Sequence, residues 1–363
     1  SNRTWRKDLI LMLIDLSADR YKAGVVFTTP ATSSDSSFVD RITDNKHGTK
    51  VLFICDEVHA AVASTQRASL LDLYDYRSGL SATPERMFDD SGSLLIRNYF
   101  GQKSFEFTIA DALNTINPIT GRPFLNRFVY YPIFVELTDS EVANYNKISQ
   151  QIYIIKSQEN YDEEALQRLY DRRANIGKNA FRKLEKLEQL LDSVKTEDIK
   201  DTIAFVSDKQ IEPVFEVMAK RGIKRAKITE AESSTKVVTL EGETERQQII
   251  SQFSNGQLQV LVGIKCLDEG IDIPNARIAL LLSNSTNPRE YVQRVGRVIR
   301  QAPNKEESVI YDFIVTPVNG KADGSGILEK EARRAFHIAQ NAKNFAFVKE
   351  EFCRKGVNLD ADK

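Results

Sequence analysis

Short, uninterrupted runs of apolar residues recur along this chain, and stretches with a helical pattern separate them. The clearest runs are 50–55, 202–206, 260–264, 278–282 and 309–314. A run without polar alternation predicts a strand that is buried on both faces of a parallel sheet. Strands that alternate with helices predict βαβ units, so the expected fold class is α/β with parallel sheets.

Weaker signals predict the remaining elements. Three shorter strands are expected at 25–29, 78–81 and 236–240. Helix starts are marked by the capping boxes Thr138/Glu141 and Thr244/Gln247 and by Asn287 before Pro288, and Gly256 can end a helix. The stretch 139–200 is expected to be a charged helical hairpin, and the stretch 327–355 a helical tail that packs onto a sheet.

Length and composition exclude several classes of protein. A chain of 363 residues is expected to form two or three domains, and 41% hydrophobic with 28% charged residues is a globular balance. The formal net charge of −1 means that any nucleic-acid contact must be local. Three scattered cysteines favour neither zinc nor disulfides, and with no apolar run long enough for a bilayer we expect a cytoplasmic location.

An acidic pair follows the apolar run 50–55. In an open parallel sheet, ligands bind beyond the carboxyl ends of the strands, which is where Asp56 and Glu57 are expected to lie. Asp56 can hold Mg²⁺ through water, and Glu57 can orient or deprotonate an attacking water. The alternative is a pair of surface acids without a function, and the residues that follow decide between the two.

Five segments resemble the motifs of one enzyme family, in its order. They are Asp-Glu-Val-His at 56–59, Ser-Ala-Thr at 81–83, Ala-Phe-Val-Ser at 204–207, 267–274 and 293–300. They are similar to motifs II, III, IV, V and VI of the superfamily-two DEAD/DEAH-box helicases. The extension Pro-Glu-Arg at 84–86 resembles the branch that contains DNA-repair, phage-recombination and restriction-motor helicases. The resemblance implies two RecA-like lobes that use ATP and Mg²⁺.

The last of these segments can be examined as a helix. At about 100° per residue, Val292, Val295 and Ile299 fall on one stripe. Gln293, Arg297 and Arg300 fall together on another face, and arginine suits bidentate phosphate contacts. The resemblance implies that Arg297 and Arg300 are arginine fingers and that Gln293 senses the nucleotide.

The resemblance assigns further site residues. It places His59 with the catalytic acids, Ser81 and Thr83 in coupling, Gly270 near the phosphates and Asp272 near the ribose. It implies nucleic-acid contacts for Thr28 and Thr29. Arg86 could contact DNA or the domain interface, and Lys265 could reach a phosphate. Thr28 and Thr29 have the alternative of a structural turn before Pro30. The contact at Lys265 is a departure, because relatives often carry Ser or Thr at 264 or 265.

The phosphate-binding loop G-x-x-x-x-G-K-[ST] of this family does not occur in the sequence. Two explanations stay open: the chain is a fragment of a longer helicase, or it is a natural pseudo-ATPase. In either case we expect the isolated chain to hydrolyse ATP poorly, because the lysine and backbone amides that bind the phosphates are absent.

The sequence therefore predicts a two-lobed motor. The expected domains are a partial first RecA-like lobe at 1–117, a connector and helical insertion at 118–200, a second lobe at 201–318 and a helical tail at 319–363. The expected function is an ATP-dependent DNA helicase or translocase that contacts mainly the nucleic-acid backbone. An RNA helicase and a non-catalytic nucleic-acid-binding module are the alternatives. Partners are DNA or RNA and subunits of a repair or restriction system, with no membrane.

Overall fold

The structure is a computed structural model that describes residues 4–63, 65–81, 90–158, 161–229, 242–264, 273, 275–283, 288–303, 305–320 and 326–359, with the backbone alone for 90 and 288–290. Contacts divide the chain into two compact units, Ser1–Glu106 and Phe107–Lys363. Among the described residues, no helix is both long enough and apolar enough to cross a bilayer.

The first unit pairs two parallel strands with helices. Its elements are α1 Trp5–Ser17, α2 Pro30–Ser33, α3 Ser36–Asn45, β1 Leu52–Cys55, α4 Val58–Ala61, β2 Tyr76–Gly79 and α5 Asp90–Phe100. In the parallel pair, Leu52 lies opposite Tyr76 and Cys55 opposite Gly79. Helices α1 and α3 pack Leu9, Leu13 and Phe38 into one small core.

Two of the strands predicted in this unit differ from the structure. The strand predicted at 78–81 exists but spans 76–79. The strand predicted at 25–29 is wrong, since these residues pair with no other strand, and Phe27 is 95% exposed. Thr29 instead caps α2: its side chain accepts a hydrogen bond from the Thr32 N–H, and Pro30 occupies the first helical turn.

The second unit is built on a six-stranded parallel sheet in the order β3-β8-β7-β4-β6-β5. Its strands are β3 Arg127–Glu136, β4 Thr202–Phe205, β5 Arg225–Ile228, β6 Val260–Gly263, β7 Ile278–Leu281 and β8 Glu307–Thr316. Its helices are α6 Ile109–Asn114, α7 Asp139–Lys156, α8 Glu163–Lys178, α9 Lys183–Asp192, α10 Ile211–Lys220, α11 Glu245–Ser254, α12 Pro288–Val298, α13 Ile327–Ala339 and α14 Phe345–Arg354. Strands β4 and β6 are buried at every position, as uninterrupted apolar runs predict. The predicted α/β class with parallel sheets is confirmed.

Neither edge strand of this sheet, β3 or β5, was predicted from the sequence. Strand β3 pairs with β8 over ten residues and lies in the stretch 118–200, where a connector and helices were expected. It contains Pro132, which a strand tolerates at a sheet edge because one side of its backbone needs no partner. Strand β5 is short and carries Arg225 and Lys227, as protected edges often do.

The predicted helix signals agree with the structure where it describes them. Both capping boxes form, with Thr138 and Glu141 at α7 and Thr244 and Gln247 at α11. Gly256 has a φ of 73° just after α11, a backbone conformation that glycine adopts without strain. The helical tail packs onto the sheet, as expected: Phe352 of α14 lies edge-on to Phe134 of β3 at a centroid distance of 5.2 Å. The strand predicted at 236–240 and the cap at Asn287 lie outside the described residues.

Candidate functional site

The acidic pair lies where the sequence predicted it, at the carboxyl end of β1. Asp56 is exposed, and its Oδ1 accepts a hydrogen bond from the Glu57 N–H at 2.9 Å. Glu57 has φ 48° and ψ 50°, a left-handed conformation that costs free energy for a residue with a side chain. This sharp turn lets α4 begin at the next residue, Val58.

His59 lies beside the second acid. Its Nδ1 is 3.2 Å from Glu57 Oε2, and its side chain is largely buried while that of Glu57 is partly exposed. An imidazole at this distance restricts the rotamers of the carboxylate. The structure therefore brings together the predicted residues Asp56, Glu57 and His59.

The ends of β1 and β2 are joined through their backbones. The Leu80 N–H donates to Cys55 O at 2.8 Å, and the Val58 N–H donates to Leu80 O at 3.0 Å. The segment that carries Ser81 is therefore tied to the segment that carries the acids. Burial, together with the nearby charge of Asp56, raises the pKa of the Cys55 thiol to about 11, so this cysteine stays protonated at neutral pH.

Gly79 makes this junction possible. A Cβ atom on Gly79 would lie 2.9 Å from Val58 Cγ2 and 3.2 Å from the Phe100 ring. We expect Gly79→Ala to lower the free energy of unfolding of the first unit by about 1–3 kcal/mol through overpacking. Urea unfolding can be followed by fluorescence of Trp5, the one tryptophan of the chain, which packs near Phe38 in this unit.

Gly296→Ala is the matched control, because a Cβ there would meet no heavy atom within 4 Å. Gly296 lies on α12 in the second unit, so this substitution should leave the Trp5 transition unchanged. If Gly79→Ala unfolded at the same urea concentration as the wild type, the close approach of Gly79 to Val58 and Phe100 would contribute nothing to stability.

Helix α12 separates its faces as the sequence predicted. Tyr291, Val295 and Ile299 are fully buried, and Val292 packs at the edge of the same core. Gln293 and Arg297 are half-buried, and Arg300, just after the helix, is exposed. The structure thus supports the predicted packing of the apolar stripe, but α12 ends at Val298, so Arg300 lies beyond the helix and not on its predicted face. The chemical roles of the three polar residues stay predictions.

Arg294 is a residue that the sequence analysis missed. It is 4% exposed, donates a hydrogen bond to Ser283 O and lies over the Phe205 ring, with its guanidinium carbon 5.5 Å from the centroid. It therefore ties α12 to the carboxyl ends of β4 and β7. Its position three residues after Tyr291 and four before Val298 places it on the buried face, and this signal was available in the sequence.

The helices of the stretch 139–200 are also attached to the carboxyl ends of the strands in this sheet. Lys183 of α9 is buried, and its Nζ donates to Leu282 O at 2.5 Å. Burial lowers the pKa of Lys183 to about 8. Ser207 Oγ donates to Asn179 Oδ1 at 2.6 Å, which joins the end of β4 to the corner between α8 and α9. The segment 204–207 is thus held by the insertion as well as by its own sheet.

A buried acid connects the sheet of the second unit to two helices. Asp312 of β8 accepts hydrogen bonds from Tyr130 at 2.5 Å and Tyr291 at 2.9 Å, and it forms a two-armed ion pair with Arg334 of α13. Burial, reinforced by the Asp312 charge, raises the pKa of both tyrosines well above their usual range. Burial opposes the charge of Arg334, yet Asp312 and Glu331 raise its pKa overall.

The other predicted site residues either have a structural contact or lie outside the described residues. Thr29 caps α2, which supports its structural alternative, and Thr28 Oγ1 donates to Thr29 O at 3.2 Å. Both threonines are exposed, so a second role in nucleic-acid contact stays a prediction. Thr83, Arg86, Lys265, Gly270 and Asp272 lie outside the described residues.

The acidic side chains of this site suit a metal ion that binds together with substrate phosphates. Within the described ranges, no group of three or more His, Cys, Asp or Glu side chains could enclose a metal ion. Magnesium is commonly held by one or two carboxylates together with water and substrate phosphates. The exposed carboxylate of Asp56 fits that mode of binding.

Comparison with known proteins agrees with this arrangement. Residues 182–302 match the family described as Helicase conserved C-terminal domain. Over 294 residues the chain is 28% identical to the DNA 3'-5' translocase XPB2 of Sulfurisphaera tokodaii, which covers 75% of this chain and 60% of that protein. The chain contains a helicase C-terminal domain and resembles the superfamily-two helicases. The resemblance inferred from motifs II to VI is thereby confirmed.

The chain is also similar in sequence to a second protein and in fold to a solved structure. It is 37% identical over 106 residues to the UvrABC system protein B of Clostridium acetobutylicum, covering 28% of this chain and 15% of that protein. Its fold is similar to that of the ATP-dependent Type ISP restriction-modification enzyme LlaBIII bound to DNA, with a TM-score of 0.52 at 15% identity. That match covers 95% of this chain and 24% of the enzyme. The predicted RecA-like fold is confirmed, and the chain spans about 60% of the length of XPB2.

Proposed function

We propose that the full-length protein is an ATP-dependent DNA helicase or translocase. The observation that carries this proposal is the acidic turn after β1, in which the exposed Asp56 precedes a left-handed Glu57 and His59 Nδ1 lies 3.2 Å from Glu57 Oε2. An exposed carboxylate followed by a restrained one suits the binding of ATP·Mg²⁺ and the activation of a water molecule. Helix α12 supports the proposal because Arg297 lies on its partly exposed face and Arg300 follows directly after it.

Each residue has a distinct role in this mechanism. Asp56 binds the magnesium ion of the substrate, and Glu57 orients the attacking water and accepts its proton. The link from Cys55 through Leu80 to the segment of Ser81 passes changes at the nucleotide to the neighbouring loop, in which Thr83 takes part. Arg297 and Arg300 stabilise the charge that develops on the transferred phosphoryl group, and Gln293 contacts the nucleotide.

The remaining predicted residues bind the rest of the two ligands. Gly270 allows a close backbone approach to the phosphates, and Asp272 contacts the ribose. Thr28, Thr29, Arg86 and Lys265 contact the nucleic-acid backbone. Contacts of this kind make binding sensitive to salt and largely independent of sequence.

DNA is the favoured nucleic acid, and the relatives supply the reason. XPB2 is named a DNA translocase, and the similar restriction-modification enzyme was solved bound to DNA. Work in a repair or restriction system, with partner subunits, fits the same comparison. We further propose that residues 1–363 alone hydrolyse ATP poorly, because the sequence G-x-x-x-x-G-K-[ST] does not occur in them.

The test is to measure ATP hydrolysis by the full-length protein without nucleic acid and with duplex DNA, single-stranded DNA or RNA. We expect DNA to stimulate turnover severalfold more than RNA, and the stimulation to fall as salt is added. A Glu57→Gln variant controls for contaminating ATPases. Equal or greater stimulation by RNA would favour the RNA-helicase alternative, and nucleic-acid binding without turnover would favour the non-catalytic module.

A further inference from the structure

The last carbonyl groups of α12 are held by donors from outside the helix. Val298 O accepts hydrogen bonds from Ser308 Oγ at 2.9 Å and from Lys305 Nζ. Lys305 Nζ also donates to Arg300 O at 2.8 Å. The final carbonyls of a helix have no partner within it, so these side chains take the place of the missing next turn.

A second segment holds the same end of the helix. The Asn126 N–H donates to Ile299 O at 2.7 Å, and its Nδ2 donates to Arg300 O at 3.1 Å. Leu125 and Arg300 form an isolated antiparallel bridge. The backbone of Arg300 is therefore fixed by the chain before β3 and by Lys305 before β8.

Lys305 is unusually placed for a lysine. It is 3% exposed, and burying an ammonium group is costly unless it is well paired. Burial lowers its pKa to about 8, with a further contribution from Arg277 and an opposing one from Asp201. Its position at the carboxyl end of a helix partly offsets the cost, because the helix dipole favours a cation there.

We propose that Lys305 is a positioning residue for Arg297 and Arg300. By joining the carbonyls of Val298 and Arg300, it fixes the direction in which the chain leaves α12, and with it the direction in which the two guanidiniums are presented. Arg297 lies in the last turn of the helix, one residue before a carbonyl that Lys305 holds. The inference rests on the proposed function, in which these arginines act on the phosphates of ATP.

The test is Lys305→Met in the full-length protein, assayed for DNA-stimulated ATP hydrolysis. Because a misplacement of about 1 Å can slow an enzyme strongly, we expect kcat to fall about tenfold while KM for ATP changes less than about twofold. Lys305→Arg keeps a cation with several donors and should recover most of the lost turnover.

Ser308→Ala is the matched control. It removes the other side-chain donor to Val298 O but leaves the bond to Arg300 O intact. Both variants should lower the melting temperature, and Lys305→Met alone should lower kcat. The positioning role would be overturned if Lys305→Met had the same kcat as Ser308→Ala, or if only its KM for ATP changed.

Two further outcomes keep the inference separate from the proposed function. If Arg297→Ala loses turnover and Lys305→Met does not, the motor assignment stands and the inference fails. If the wild-type protein shows no DNA-stimulated hydrolysis, both fail. Should Lys305→Met not fold, Lys305→Gln replaces it with the same expected separation of kcat from KM, since the shorter, neutral glutamine side chain lacks the ammonium group that joins the two carbonyls.

Discussion

Replacing Arg297 with alanine in the full-length protein is expected to lower ATPase turnover by about 10³-fold or more. The guanidinium would stabilise the negative charge that spreads over the transferred phosphoryl group, because its planar fork suits bidentate contact with phosphate oxygens. The half-buried position of Arg297 on α12, with Val298 buried beside it, fixes where that charge is presented. Single-turnover and steady-state hydrolysis at saturating DNA would measure the effect.

Arg172→Ala provides the comparison, because Arg172 is an exposed arginine of α8 and its loss removes the same charge elsewhere. We expect its turnover at saturating DNA to match that of the wild type. Melting curves of both variants would exclude unfolding as the cause of lost activity. Near-normal turnover in Arg297→Ala would refute the arginine-finger assignment.

Replacing Asp312 with alanine is expected to destabilise the second unit by about 3–5 kcal/mol. The substitution would leave Arg334 charged and buried without its two-armed partner, and it would remove the acceptor of two buried tyrosine hydroxyls. Urea unfolding followed by circular dichroism would measure the loss, since most of the helices belong to this unit.

A double substitution tests the physical reason for that loss. Replacing Asp312 with asparagine and Arg334 with methionine removes both charges, keeps similar volumes and leaves an oxygen that can accept from the two tyrosine hydroxyls. Buried ion pairs replaced in this way often lose little stability, so the double variant should be markedly more stable than Asp312→Ala. A loss below about 1 kcal/mol in Asp312→Ala would show that the remaining charge of Arg334 is compensated, by its second partner Glu331 at 2.8 Å or by solvent.

The sequence predicted those parts of the fold that depend on local patterns. The strands β4, β6, β7 and β8 follow from uninterrupted apolar runs, and the starts of α7 and α11 follow from capping boxes. Strand β3 was missed because Pro132 weakens a strand signal, and only the position at the sheet edge makes it acceptable. The strand predicted at 25–29 failed because a β-branched run does not form a strand without a neighbour to pair with.

The candidate site divides in a similar way. The turn at Asp56 and Glu57 and the two faces of α12 were predictable, because each follows from one strand or one helix. Arg294 and Lys305 were not recognised, since their roles depend on carbonyl groups of Ser283, Val298 and Arg300 that only the fold brings near. Helical spacing places Arg294 on the buried face of α12, but the carbonyl groups that Arg294 and Lys305 contact leave no trace in spacing or composition.

The ion pair between Asp312 and Arg334 also affects how the second unit can be excised for study. The family match ends at residue 302, whereas β8 and α13, which contribute the two charges, come later in the chain. A fragment cut at the end of that match would lack both, and one cut directly after β8 would keep the carboxylate without its cation. An excised piece that retains this core begins before α6 and ends after Leu359, because Ile109 of α6 and Leu359, beyond α14, pack into the same hydrophobic core as Phe352.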